Sequence, residues 1–329
     1  MSVLPQNIKS LLLLAGGAIL GACDQGGTVD GKIADARARN DGPAIWYVKD
    51  YDSTLYLFGT VHLLSADFDW IGADLEGVFR DSGTVFFEID TGNSAQIEAT
   101  VLTQSYGFRQ DGLRLSGELD SYQLKLLDAA ANNGGLPVAT LDNMKPWLAS
   151  EFLTVAAAAQ SGLSPELSAD EALKSRAAAQ GKNVIYLDTM ESQIMRAAQL
   201  PDFVQIKLLN DTLEGFNTLG SDLTKVAQAW SVGQTNYLTR EIITETKNRS
   251  PDIYQTYFDD VNRQWVKPLM RFLEDSGTGF AAVGIGHLLG DDSLQALLED
   301  QGYEVGRYYA FKGENVIQTV PLRPVNGEN

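Results

Sequence analysis

Histidine, cysteine and basic residues are all scarce in this chain of 329 residues. One cysteine and two histidines are present, so no disulfide can form within the chain. The 25 Lys and Arg residues are outnumbered by 43 Asp and Glu residues, and the net charge is -18. An acidic chain repels phosphate backbones and anionic lipid headgroups. A broad nucleic-acid-binding surface is therefore excluded, and contact with a membrane would need a dedicated anchor.

Several common catalytic motifs are also missing. No Gly-x-Ser-x-Gly, Walker or Rossmann motif occurs in a usable context, which argues against serine-nucleophile and nucleotide chemistry. The longest apolar run, residues 11–22, is shorter than the roughly 20 residues that a membrane-spanning helix needs. It has the length of the apolar core of a signal peptide.

The sole cysteine follows this apolar run in Leu20-Gly21-Ala22-Cys23. The pattern resembles a bacterial lipobox, in which the cysteine is acylated and becomes the new N-terminus; the alternative is an ordinary signal peptide with an incidental cysteine. We predict a lipoprotein signal peptide over residues 1–22, a flexible tether over 23–42 and one α/β domain over 43–329. Several acyl chains on Cys23 would anchor the protein stably in the bacterial cell envelope, at the inner or the outer membrane.

Hydrophobic periodicity predicts the elements of this domain. Two apolar runs separated by a turn-like segment predict a β-hairpin, and helical spacing follows over Ser65–Arg80. The residues between Ser116 and Asp275 are mostly helical in pattern, with a capping box at Ser168 and Glu171, and a further helix is predicted from about Asp292 to Asp300. The predicted strands are Ala44–Val48, Thr54–Phe58, Thr84–Ile89, Val138–Leu141, Val184–Leu187, Ala281–Ile285, Tyr303–Tyr308 and Val316–Val320. Strands at both ends with helices between them predict an α/β fold with two related halves.

The two histidines lie in matching motifs. Gly59-x-x-His62 and Gly284-x-x-His287 each follow an apolar strand, and each is followed by Leu-Leu. A glycine at the end of a strand lets the backbone turn tightly, and the crevice at the carboxyl ends of parallel strands is where α/β proteins bind ligands. Histidine is a common metal ligand and general base. The doubled motif predicts one site shared by both histidines. The alternative, for either histidine considered by itself, is a buried structural residue with satisfied hydrogen bonds.

A carboxylate is expected to complete the site. Glu88 lies near the end of the strand Thr84–Ile89, and a charged residue there is buried only if it is paired or bound to metal; otherwise it emerges at the rim of the sheet. Asp90 is the adjacent candidate, although it reads more readily as a turn or cap residue. Asp291 and Asp292 are predicted to be helix N-caps rather than ligands.

These residues resemble the TraB/GumN family, which includes the TIKI metalloproteases. The resemblance covers roughly residues 43–310 and has two departures: Val261 stands where the family often has Arg, and Asp188 stands where it tends to have Glu. The matching stretches are YLFGTVHLL with His62, FFEID with Glu88, Pro146-Trp147, Asp170, LDTMESQ at residues 187–193, Asn262-x-x-Trp265, AAVGIGHLLG with His287, and Gly302-Tyr303-x-Val305.

The resemblance implies a fold like that of the erythromycin esterases and of the haem-binding ChaN type. It also implies a hydrolytic site built from His62, Glu88 and His287, with Gly59, Gly284, Asp90 and Asn262 as further substrate or supporting residues. In TIKI proteins such a site is tied to a divalent metal and to peptide cleavage, which here makes zinc, manganese or cobalt the expected cofactor.

Three functions follow as alternatives. The first is a metal-dependent, peptidase-like hydrolase in which His62, Glu88 and His287 hold the ion and water takes the open position. The second is a metal-free esterase-type hydrolase with His62 as general base. The third is a non-catalytic envelope binding or assembly protein linked to polysaccharide export, by analogy with GumN. The expected partners are the membrane, through the anchor, and a peptide or other small envelope substrate, but not nucleic acid.

Overall fold

A computed structural model describes residues 42–309. The predicted signal peptide, Cys23, all of the tether but Gly42 and the predicted strand Val316–Val320 lie outside the described residues. None of the helices within residues 42–309 has the length and apolar character needed to cross a membrane.

The centre of the fold is one mixed sheet of six strands in the order β4-β3-β5-β2-β1-β6. The neighbours β4, β3, β5 and β2 run parallel, whereas β1 is antiparallel to both β2 and β6. The α/β prediction is confirmed, and strands from the two ends of the chain lie side by side. The strands are β1 Ile45–Lys49, β2 Ser53–Thr60, β3 Thr84–Phe87, β4 Asn183–Tyr186, β5 Gly277–Gly284 and β6 Glu304–Arg307.

Helices cover the sheet and fill most of the chain between β3 and β5, as the sequence predicts. Two π-helical turns, Thr239–Thr244 and Gln255–Asp259, interrupt the last helical stretch before β5. Short 3-10 turns lie at Leu115–Gly117, Pro165–Leu167 and Ile285–Leu288. The α-helices are α1 Ala73–Asp81, α2 Asn93–Tyr106, α3 Ser121–Asn133, α4 Val138–Leu141, α5 Pro146–Gln160, α6 Ala169–Ala179, α7 Met190–Ala198, α8 Asp202–Ser231, α9 Thr235–Leu238, α10 Glu245–Arg249, α11 Pro251–Tyr254, α12 Asp260–Leu273 and α13 Leu294–Asp300.

The predicted hairpin is confirmed at β1 and β2. Ile45 pairs with Phe58 and Lys49 with Thr54. The turn between the strands is closed by Asp50, whose Oδ1 accepts hydrogen bonds from the Ser53 backbone N–H at 2.9 Å and from the Ser53 hydroxyl at 2.7 Å. An aspartate that binds the backbone a few residues ahead is a common way to close a turn.

Three local predictions were wrong. The helix expected over Ser65–Arg80 begins only at Ala73; just before it, Trp70 is buried and stacks on the ring of Phe58 at 5.9 Å. Val138–Leu141 is a helical turn with Pro137 as N-cap rather than a strand. The N-cap of α13 is Ser293, not Asp291 or Asp292.

Gly59 is expected to be essential for stability, because β2 and the turn after β5 meet there without space for a side chain. A Cβ at Gly59 would lie 2.2 Å from Cδ1 and 3.0 Å from Cα of Ile285. We expect Gly59→Ala to lower the free energy of unfolding by about 1–3 kcal/mol, the usual cost of overpacking. Urea unfolding would measure this change. The control is Gly83→Ala, whose Cβ meets nothing within 4 Å; equal destabilisation of both variants would contradict the prediction.

Candidate functional site

The two Gly-x-x-His motifs meet at one edge of the sheet. Strands β2 and β5 are parallel neighbours with Thr60 opposite Gly284, so the residues after each strand emerge side by side. His62 follows β2, and His287 lies in the 3-10 turn after β5; both side chains are buried. The shared location follows directly from the register of two strands that are far apart in sequence.

Gly284 lies at the centre of this group. A Cβ at this position would be 3.1 Å from Glu88 Oε1, 3.4 Å from His62 Nε2 and 3.6 Å from His287 Cδ2. The structure therefore brings the three predicted site residues together around a gap that exists because residue 284 has no side chain.

His62 is held by an aspartate on helix α6. Its Nδ1 lies 2.8 Å from Asp170 Oδ2, and the hydroxyl of Thr60 donates to Asp170 Oδ1 at 2.8 Å. Helix α6 is positioned by Ser168, which caps its first turn by accepting from the Glu171 N–H, and by the Ala169 N–H, which donates to the Val61 carbonyl. Because Nδ1 is engaged by Asp170, the Nε2 atom of His62 is the one that faces the gap at Gly284.

Glu88 is buried just beyond β3 rather than exposed at the rim of the sheet. Its Oε1 accepts from the Gly284 backbone N–H at 2.6 Å, and its Oε2 accepts from Gln193 Nε2 at 3.2 Å. Oε1 also lies 3.9 Å from His287 Nε2. One hydrogen bond to each oxygen holds the buried carboxylate beside the two histidines, so both of its oxygens have a polar partner.

His287 is held in the same manner as His62, but by a neutral partner. Its Nδ1 lies 2.7 Å from Asn262 Oδ1, and the Asn262 amide donates to the Asp292 carbonyl at 2.7 Å. Because Asn262 Oδ1 is a hydrogen-bond acceptor, the neutral imidazole of His287 carries its proton on Nδ1. Its Nε2 atom therefore carries the free lone pair. The ring is enclosed by Trp265 at 4.5 Å and Phe258 at 5.7 Å between ring centroids.

Comparison with known proteins shows the family to which the chain belongs. A model of the TraB/PrgY/gumN family matches residues 44–307, nearly all of the described chain. The chain belongs to this family. Two relatives carry the name "Uncharacterized protein YbaP". The one from Escherichia coli (strain K12) is 25% identical over 258 residues, covering 78% of this chain and 92% of that protein.

The second relative, from Shigella flexneri, is 25% identical over 245 residues, covering 74% of this chain and 87% of that protein. No solved structure matches the chain. Family membership confirms the resemblance seen in the sequence.

The two departures from the family pattern have different surroundings. Val261 is buried beside Asn262, within α12. Asp188 follows β4 and forms an ion pair with Arg196 of α7, while its backbone N–H donates to the Glu88 carbonyl at 2.8 Å. Asp188 therefore links Arg196 to the strand end that carries Glu88.

The remaining predicted residues lie outside the central gap. Gly59 packs against Ile285 below the site. Asp90 is exposed, and its Oδ1 accepts from the Gly92 N–H at 2.8 Å, the turn geometry that the sequence favoured. Asp292 accepts hydrogen bonds from Lys247 and Tyr254 at the surface side of α11.

Sequence reasoning left Asp170 and Gln193 out of the site, although the structure places both against its central residues. Each belonged to a stretch that carried the family resemblance, Asp170 before a helix and Gln193 in the segment after β4. That was the signal available for finding them. Lys174 was also missed; its ammonium group binds the Thr91 hydroxyl at 3.1 Å and adds a positive charge beside the group.

The pKa values of the two histidines are shifted in opposite directions. Burial alone would lower the pKa of His62, but the Asp170 carboxylate, and more weakly Glu88, raise it to about 9. Burial lowers the pKa of His287 to about 3, with help from the charges of Arg196 and His62. Burial raises the pKa of Glu88 despite the opposing charge of His62, whereas the pKa of Asp170 is lowered because His62 outweighs the effect of burial.

A small apolar pocket opens onto the histidines. It has about 60 Å³ of space for water-sized molecules. Helix α8 and the first π-helical turn form one wall, and the ends of β2 and β5 form the other. The lining residues are Thr60, Val61, His62, Leu63, Leu223, Val226, Ala227, Ile242, Gly284, Ile285, Gly286 and His287. Apolar walls exclude bulk water, which strengthens electrostatic interactions inside.

The donor set suits a divalent ion in chemistry and orientation. Metal-bound histidines usually present one ring nitrogen while an acceptor holds the other, as Asp170 and Asn262 do here. The spacing is slightly open: ligands of a tetrahedral zinc ion lie about 3.4 Å apart, against 3.9 Å between Glu88 Oε1 and His287 Nε2. Within residues 42–309, no three His, Cys, Asp or Glu side chains already have the spacing of a metal-binding group.

Proposed function

We propose that this protein is a hydrolase of the cell envelope whose site holds a divalent metal ion, zinc, manganese or cobalt, at His62, Glu88 and His287. The observation that carries the proposal is the gap at Gly284. His62 Nε2 and Glu88 Oε1 both lie within 3.4 Å of the point that a Cβ would occupy there. Three protein ligands and one open position for water is the usual arrangement of a catalytic zinc site.

The chain's own residues would prepare this site. Asp170 holds His62 so that Nε2 faces the gap, and Asn262 does the same for His287. The Gly284 N–H and the Gln193 amide hold Glu88 between them. When bound, a divalent ion supplies Lewis-acid chemistry and lowers the pKa of its water toward neutrality. The apolar pocket would keep bulk water away from the reacting groups.

A peptide or another small envelope molecule is the proposed substrate. The site lies at the carboxyl edge of the parallel strands, where α/β proteins take small ligands. The lipobox-like segment ending in Cys23 supports attachment to a membrane of the bacterial envelope, with the site on the periplasmic side. The net charge of -18 argues against a nucleic-acid substrate.

Elemental analysis of the purified full chain tests the metal site. We expect close to one zinc, manganese or cobalt ion per chain, and metal at background level in each of His62→Ala, Glu88→Ala and His287→Ala, since all three side chains would bind the same ion. The control is Glu274→Ala, which changes an exposed glutamate beyond the opposite end of β5. Stoichiometric metal in any one of the three site variants would contradict the proposal that all three side chains bind one ion.

Metal-free hydrolysis is the second candidate, and the pairing of His62 with Asp170 is the observation that favours it. A carboxylate at Nδ1 orients an imidazole and supports it as a proton carrier. Hydrolysis of a peptide or ester that persists after exhaustive chelation, and is lost in Asp170→Asn, would select this mechanism. Loss of hydrolysis on chelation and its return with added metal would select the first.

A further inference from the structure

The apolar wall of the pocket beside the histidines has no role in the proposed metal site. Helix α8 contributes Leu223, Val226 and Ala227, which lie on one face of the helix because residues three and four apart are neighbours there. Ile242 of the first π-helical turn extends this wall. Aliphatic side chains neither bind a metal ion nor carry a proton, so their place beside the two histidines has another explanation.

The pocket and the gap between the histidines share residues. His62, Gly284 and His287 surround the gap, and all three also line the pocket. The pocket is not an enclosed cavity, because part of it is open to solvent. Accordingly, His62 and Ile242 each keep 9% of their surface exposed, and Val226 keeps 8%. A small ligand can therefore enter the pocket and reach both histidines.

Hydrogen bonds hold both parts of the apolar wall in place. The indole N–H of Trp230, one helical turn after Val226, donates to the Gly59 carbonyl at 2.6 Å and ties α8 to the end of β2. The Thr246 hydroxyl donates to the Ile242 carbonyl. Turns of π-helix are rare and occur frequently at functional sites. The wall is therefore preformed, as in most pockets for small ligands.

The lining of the pocket disfavours charged groups. Among the lining residues, only Thr60, His62 and His287 have polar side-chain atoms. The Thr60 hydroxyl donates to Asp170, and the Nδ1 atoms of the histidines are engaged by Asp170 and Asn262. A charged side chain placed against α8 would lose its water without gaining a partner, which is costly. The pocket therefore fits an apolar group.

The volume of the pocket limits that group to a compact one. The pocket holds about 60 Å³. One group the size of a water molecule needs roughly 10–15 Å³, so about four to six such groups fit. This is enough for the isobutyl group of leucine or the isopropyl group of valine. An aromatic ring needs more space, since a cavity that binds benzene has about 150 Å³.

We propose that this pocket binds a leucine- or valine-sized side chain of the substrate, on a residue next to the bond that is hydrolysed. Because His62 and His287 line both the pocket and the gap, a side chain held against α8 and Ile242 brings the adjoining bond to the reacting groups. The inference rests on the proposed hydrolase function and names its substrate class: peptides, or related amides, with a compact aliphatic residue at the cleaved bond.

NMR of the metal-free full chain tests the proposal with three probes. N-acetyl-leucinamide carries the expected side chain, N-acetyl-glycinamide carries none, and N-acetyl-phenylalaninamide carries an aromatic ring. The ring signals of His62 and His287 report binding, since both rings line the pocket. We expect saturable shifts with the leucine probe and binding about tenfold weaker or more with the other two, the usual discrimination of an apolar pocket between groups of different size.

Two neighbouring isoleucines in the π-helical turn supply a matched pair of variants. Ile242 and Ile243 are both buried, but of the two only Ile242 lines the pocket, whereas Ile243 lies beside Gly290. Ile242→Ala should enlarge the pocket and remove the preference for the leucine probe over the phenylalanine probe. Ile243→Ala should retain that preference. Thermal unfolding of both variants checks that they are folded.

Three results would overturn the proposal: equal or weaker binding of the leucine probe compared with the other two, an unchanged preference in folded Ile242→Ala, or no binding of any probe. If neither variant folds, the order of the three probes in the unmodified chain decides the question. The titrations need neither metal nor hydrolysis. A chain that binds the leucine probe but holds no metal would therefore support the pocket and contradict the proposed metal site, and metal without probe binding would mean the reverse.

Discussion

Two imidazole titrations at opposite ends of the pH range are the expected NMR result for the metal-free protein. The chain has only two histidines, so each ring signal can be assigned by removing the other. The signal of His62 is expected to titrate near pH 9, because the Asp170 carboxylate overcomes the effect of burial. The signal of His287 is expected to remain that of a neutral ring down to about pH 3, because burial opposes its charged form.

The two histidine pKa shifts should each change the stability of the metal-free protein, and each should do so in a different pH range. The raised pKa of His62 means that the folded state holds a proton that the unfolded state, with a pKa near 6.5, releases. That contribution is complete below about pH 6.5 and is lost as the pH rises through 9. The lowered pKa of His287 acts in the opposite direction: stability is lost as the pH falls from about 6.5 toward 3, where only the unfolded state binds the proton.

Asp170→Asn is the control for this prediction. An asparagine keeps a hydrogen bond to His62 Nδ1 but removes the charge, so burial should then dominate and the pKa of His62 should fall below its ordinary value. The His287 signal should change little, since Asn262 rather than Asp170 holds that ring. Two signals that both titrate near pH 6.5 in the unmodified chain would contradict the geometry described for the site.

Parts of this site could be predicted from the sequence because they depend on local patterns. Each Gly-x-x-His motif follows an apolar strand, and parallel strands present their carboxyl ends at one edge. The pairing of β2 with β5 then brings His62 beside His287. Glu88 could be predicted for the same reason, since a charge within TVFFEI stands out against its apolar neighbours.

Other parts depend on contacts between distant segments, which no local pattern contains. Asp170 reaches His62 because α6 begins beside Val61, a placement set by tertiary packing. The helical spacing over Ser65–Arg80 looked continuous, but Trp70 packs against the rings of Phe58 and Trp230 in other elements, and α1 starts only at Ala73. Glu151 reads in the sequence as an ordinary helix residue, and only its burial marks it as unusual.

Gly284→Ala is expected to abolish metal binding while leaving the fold intact. The backbone at this residue, with φ -50° and ψ 135°, is accessible to alanine, so the substitution adds no backbone strain. The Gly284 N–H that holds Glu88 is also retained. The added methyl would lie 3.1 Å from Glu88 Oε1 and 3.4 Å from His62 Nε2, and so would occupy the gap itself.

The measurement is metal content together with urea unfolding, compared across Gly284→Ala, Gly59→Ala and Gly83→Ala. Gly284→Ala should lose the metal at least tenfold while its free energy of unfolding, measured without metal, changes by less than about 1 kcal/mol. Gly59→Ala should show the larger loss of stability, because its methyl would meet the backbone of Ile285 instead of the site. Normal metal content in Gly284→Ala would mean that the ion does not occupy the gap between the histidines, since no ion could share that space with a methyl group.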